Sequence, residues 1–144
     1  MLAGRSRFWL AWVTVRAPSQ VVLHLPGKDA PQSVLRIPLC GIYHLDVAKV
    51  IRHPGRLMLI VTDDATGKTY RGAIVDRDPN PTIPPPRSAP IDPAIYENQS
   101  FGSYLNVDVA SYVALPLQPA RYRVKVEWSG YESNEVSVAV VQRR

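Results

Sequence analysis

Two stretches of this 144-residue chain say nearly the same thing. Gly41-Ile42-Tyr43-His44-Leu45-Asp46-Val47-Ala48 is answered, with one residue inserted, by Gly102-Ser103-Tyr104-Leu105-Asn106-Val107-Asp108-Val109-Ala110. Each copy leads into residues suited to one or two turns of helix, then a proline, then a strand opening on Arg56 or Arg121. Each of those strands runs into a turn carrying Gly67 or Gly130 and returns as a second strand. A unit this small cannot bury its apolar face alone and packs on its copy. The echo implies two related halves, 34–78 and 94–142. It is either an internal duplication or a strand, corner and hairpin pattern arising twice in one β domain.

The rest of the chain reads as short strands separated by turn signals. Phe8 to Val15, rich in aromatic and β-branched residues, predicts a first strand, and Val21 to Leu25 a second, stopped by Pro26-Gly27. Val34 to Tyr43 predicts a third, with Pro38 placing a sheet edge or bulge there because proline has no N–H to donate. Asp46 and Asp108 are suited to cap short helical corners. Leu57 to Val61 is apolar on both faces, the mark of a central strand, and Asp63 to Gly67 forms a hairpin loop before Lys68 to Val75 returns. In the last hairpin Tyr122, Val124, Val126 and Trp128 alternate with Arg123, Lys125 and Glu127, and Val136, Val138 and Val140 oppose them. Tyr43 and Tyr104, at matching places in the echo, are expected to be matched corner or core residues.

Between the halves lies a connector, 78–93, holding half of the fourteen prolines. Its Pro84-Pro85-Pro86 favours polyproline II over sheet. At this length the chain fits one domain, 1–144, that can hold a real apolar core without disulfides, and its single cysteine, Cys40, excludes an internal one. The formal charge of +5 favours acidic partners in general, but the Lys and Arg residues do not gather as a nucleic-acid footprint would require. No stretch reaches the length of a membrane span, and the apolar run at the start is too short and wrongly flanked for a signal peptide.

Pro119-Ala120-Arg121-Tyr122-Arg123-Val124-Lys125-Val126, followed by Ser133-Asn134-Glu135-Val136-Ser137-Val138, resembles the last two strands of bacterial immunoglobulin-like or fibronectin-type-III-like modules. The resemblance covers the final quarter of the chain. It implies an all-β, immunoglobulin-like β-sandwich, here with one or two short helical corners, in a protein that binds, spaces or assembles, mostly outside the cytoplasm and without catalytic residues. The proline-rich connector and the two aspartate corners depart from those modules.

Few residues invite chemistry. Cys40 and His44 suggest a nucleophile and base, but four residues apart on a strand they share a face at too great a separation to bond. A small buried thiol at a strand end, beside an ordinary histidine, is the simpler reading. His24, His44 and His53 fit no zinc spacing; Asp63 and Asp64 with Asp76 and Asp78 offer oxygen ligands to a hard cation, but the first pair fits turn chemistry better and the second flanks Arg77 at the mouth of the connector. Nothing in the sequence calls for a cofactor. The leading expectation is a non-catalytic binding or assembly module acting through protein–protein contacts, made by Pro84, Pro85, Pro86 and Arg87 of the connector and by Tyr131 near the final turn. The alternatives are a small enzyme or ligand-binding protein with a pocket between the halves, tested first at Cys40, His44 and Asp108, and a subunit of a surface or viral assembly.

Overall fold

Period-two alternation of β-branched residues dominates this chain, and strands dominate its structure, a computed structural model that describes residues 12–27, 32–52, 55–75, 92–128 and 130–143. In chain order these residues form β1 (Trp12–Arg16), β2 (Gln20–His24), β3 (Pro38–Asp46), the short helix α1 (Val47–Arg52), β4 (Met58–Asp63) and β5 (Thr69–Ala73). After a 3-10 turn at Pro93–Tyr96 come β6 (Ser100–Asp108), a second 3-10 turn at Val109–Ser111, β7 (Ala120–Trp128), β8 (Tyr131–Glu132) and β9 (Val136–Arg143). No helix among them is long and apolar enough to cross a membrane.

The strands make two sheets. One has three strands in the order β1-β3-β6, all antiparallel; the other runs β2-β9-β7-β4-β5, with β8 pairing the end of β7. Within the larger sheet β2 lies parallel to β9, while the remaining pairs are antiparallel. One apolar cluster fills the space between the sheets: Val13, Val15, Leu39, Leu45 and Leu105 from the smaller sheet meet Leu23, Leu59, Val61, Tyr122, Val124, Val126 and Val138 from the larger. The fold is an all-β sandwich with short helical corners. Tyr122, Val124 and Val126 are fully buried, as their alternation requires, and β4 is central, flanked by β5 and β7.

Several boundaries differ from the sequence reading. The first strand runs from Trp12 to Arg16 among the described residues; residues 8–11 lie outside them. The third begins at Pro38, because proline fits the first position of a strand, where its missing N–H breaks no ladder. Upstream, Val34 makes only an isolated bridge with His24. After Asp108 there is a single 3-10 turn rather than a helix. The connector lies outside the described residues except at its end, where Asp92 caps the turn opening on Pro93.

The two aspartates do act as caps. Asp46 Oδ1 accepts from the Ala48 N–H at 3.0 Å, and Asp108 Oδ1 accepts from Ala110 N–H at 3.1 Å and from Ile37 N–H at 2.9 Å. They occupy opposite ends of the sandwich, since β3 and β6 run antiparallel with Asp46 opposite Ser100 and Asp108 opposite Pro38.

The echoed tyrosines are not equivalent. Ile42 faces Tyr104 across β3 and β6, so the pairing is centred on residues 62 positions apart (104 − 42). Aligning the two strands on their capping aspartates gives the same offset (108 − 46) and matches Tyr43 with Leu105, not with Tyr104. The inserted residue in the echo shifts the phase by one, and a one-residue shift in a strand moves every side chain to the other face. Tyr43 points inward and packs on Phe101 and Trp128, whereas Tyr104 points outward and is 75% exposed.

Candidate binding face

The smaller sheet turns two very different surfaces to its surroundings. Inward, Gly41 sits between Val15 and Leu105 of the flanking strands; a Cβ there would lie 2.8 Å from the Thr14 carbonyl oxygen, so only glycine allows the three strands this spacing. Outward, three rungs cross the sheet: Trp12, His44 and Gly102; then Thr14, Ile42 and Tyr104; then Arg16, Cys40 and Asn106. Trp12 is 40% exposed and Ile42 52% exposed, so with Tyr104 three large apolar side chains stand uncovered on one face. Trp12 meets the His44 ring edge-on at 6.2 Å.

Between the second and third rungs the face sinks into a recess of about 400 Å³, floored by Gly41 and Leu105 and walled by Ile42, Tyr104 and Arg16. Its depth comes from Cys40, a short side chain set between the longer Arg16 and Asn106. The Cys40 thiol is exposed, against the expectation of a buried one, because the outward phase of β3 carries Pro38, Cys40, Ile42 and His44 while Leu39, Gly41, Tyr43 and Leu45 face the core. The thiol donates weakly to Asn106 Oδ1 at 3.7 Å.

The free backbone edge of β1 is closed by a side chain. Asn134 accepts from the Val15 N–H at 2.8 Å through Oδ1 and donates from Nδ2 to the Val15 carbonyl at 3.0 Å, mimicking a neighbouring strand. The smaller sheet thus has a sealed edge beside β1 and an open face.

Cys40, His44 and Asp108 do not converge. Cys40 and His44 share the outward face of β3 but are separated by roughly 13 Å of extended strand, and their neighbours differ. Asp108 is engaged by two backbone N–H groups and by the Ser111 hydroxyl at 3.1 Å. Asp63 accepts from the Ala65 N–H within its hairpin, and Asp64 pairs with Arg123 at 2.6 Å. Among the described residues no three His, Cys, Asp or Glu side chains gather as metal ligands.

Tyr131, expected as an exposed contact residue, is half-buried instead. Lys49 of α1 lies over its ring, 4.0 Å from the centroid, and burial, with Asp46 nearby, raises its hydroxyl pKa. Residue spacing along β8 gave no sign of α1 folding back on it. Pro84, Pro85, Pro86 and Arg87, like His53, Asp76 and Asp78, lie outside the described residues. The sequence reading missed Trp12, Ile42 and Tyr104 as a set, although the signal was there: β3 is apolar on both phases, which asks what covers its second face.

No protein-family model matches the chain, nor does any curated protein or solved structure.

Proposed function

We propose that this protein is a non-catalytic, immunoglobulin-like sandwich module that binds another protein through the outward face of its three-stranded sheet. The observation that carries the reading is that face: Trp12, Ile42 and Tyr104 are exposed together on a rigid strand surface, and contiguous uncovered apolar groups on a soluble domain mark contact sites.

The immunoglobulin-like assignment is supported by strand order. A first strand pairs within one sheet and the next joins the other sheet, and the closing hairpin β7–β9 sits centrally in the larger sheet. The resemblance of residues 119–126 and 133–138 to the closing strands of such modules falls on β7 and the start of β9. Tyr122, near the start of β7, holds the place of a corner tyrosine, but its fully buried hydroxyl has no hydrogen-bond partner among the described residues, unlike the corner bond of antibody domains. Burial first, then Asp63 and Tyr70, raises its pKa. Each half gives one strand to the smaller sheet, β3 or β6, and an antiparallel pair to the larger, β4–β5 or β7–β9, which supports the reading of residues 34–78 and 94–142 as copies of one unit.

The test is affinity capture from extracts of the native host, comparing the wild type with an Ile42→Lys, Tyr104→Lys double variant whose folding is checked by circular dichroism. A partner held by the wild type and lost by the variant is the expected result. Equal recovery by both would sink the assignment of the face.

A further inference from the structure

We infer that the recess beside Tyr104 is a carboxylate-selective pocket, receiving from the protein partner a segment in which an acidic group adjoins an apolar one, with Arg16 selecting it. The inference deepens the protein-binding reading and rests on it.

Charge complementarity is the argument. Among the described residues Arg16 is the one charged residue lining the recess, and no acid lines it. Arg52, Arg123 and Lys125 are paired with acids elsewhere on the sandwich, whereas Arg16, like Arg36, Arg71, Arg121 and Arg143, has no ion-pair partner among the described residues. An acidic occupant gains a charge-assisted bond from this exposed guanidinium that a neutral one lacks, and a cationic one is repelled. An occupant whose apolar part lies against Ile42 and Tyr104 and whose carboxylate meets Arg16 satisfies both halves of the pocket.

A second polar side chain lines the same recess. Asn106 accepts weakly from the Cys40 thiol through its side-chain oxygen, which leaves its NH₂ group as a donor. Arg16 and Asn106 lie on β1 and β6, one strand to each side of Cys40, with backbones about 10 Å apart across the sheet. The volume, about 400 Å³, is enough for one apolar side chain with its carboxylate.

Cys40, the only cysteine of the chain, lies in the recess and reports on its occupancy. The probes are N-acetyl-L-phenylalanine and its uncharged amide, tested for protection of Cys40 from iodoacetamide, a neutral reagent. The carboxylate is expected to protect at concentrations at least about tenfold below those the amide needs, as a charge-assisted bond would give. In Arg16→Gln that difference should vanish, while in Arg71→Gln, altered on the opposite sheet, it should persist. Equal protection by the two probes, protection by neither, or an unchanged preference in Arg16→Gln each overturns the inference. Repeating the host capture with Arg16→Gln separates the two claims. A partner lost with the Ile42→Lys, Tyr104→Lys variant but kept at full strength by Arg16→Gln leaves the binding face standing and removes the carboxylate pocket. Carboxylate-selective protection with no partner dependent on Ile42 and Tyr104 removes the protein-binding reading and assigns the pocket to a free carboxylate, overturning the inference as stated.

Discussion

Ile42 and Ile60 stand at the middle of the outward faces of the two sheets, and they differ tenfold in exposure: 52% for Ile42 and 5% for Ile60. On its rung Ile60 is flanked by Arg71 and Lys125, long side chains whose aliphatic stems shield apolar surface while their charges stay in water. Around it Arg123 bridges Asp64 and Glu135, and Lys125 reaches Glu132. Ile42 has Thr14 on one side, too short to cover it, and Tyr104 on the other, itself mostly exposed. The larger sheet screens its apolar residue with its own side chains; the smaller sheet leaves its own exposed. The same residue type on the same kind of strand is therefore covered in one place and, in the other, part of the proposed contact surface.

The comparison can be broken by mutation. Ile60→Ala should destabilise the fold by roughly 2–4 kcal/mol, as for a buried aliphatic truncation, while Ile42→Ala should cost less than about 1 kcal/mol; urea denaturation measures both. Equal losses would mean that the two faces are equally covered. Asn134→Ala comes next, at roughly 1–3 kcal/mol, because it strands the N–H and C=O of Val15 at the edge of β1. It should also promote self-association by opening that edge, visible in light scattering. The smallest effect is expected at Glu132→Gln, about 0.5 kcal/mol or less, since an exposed ion pair adds little to stability and the Lys125 stem over Ile60 is left in place. A large loss there would show that the charged face is held by its ion pairs and not by the buried residues beneath.

Much of the sandwich was legible in the sequence where one physical signal decided the outcome. Tyr122, Val124 and Val126 alternate cleanly and are buried; Gly67, expected to supply a positive φ, has φ of 72°; Asp46 and Asp108 cap the corners their spacing suggested. The echo was informative but misaligned. Matching Tyr43 to Tyr104 by likeness ignores that strand phase is fixed by where the capping aspartates fall, so the exposed Tyr104 is taken for a core residue. Cys40 failed for the same reason, since burial of a small side chain depends on strand phase and not on residue type. The partial burial of Tyr131 was not legible because the Lys49 side chain over its ring is remote in sequence. The proposed binding face is assembled from β1, β3 and β6, and no local pattern shows three strands being brought side by side.

The most direct test of the central claim places a photoactivatable cross-linker on one face at a time. In the wild type it would be attached to Cys40, on the outward face of the smaller sheet; in a Cys40→Ser, Ser137→Cys variant it would sit on the outward face of the larger sheet, where Ser137 is exposed. Irradiation in host extract should give a discrete covalent adduct from position 40 and none from position 137. Adducts from position 137 with none from position 40 would contradict the account and move the binding surface to the charged sheet.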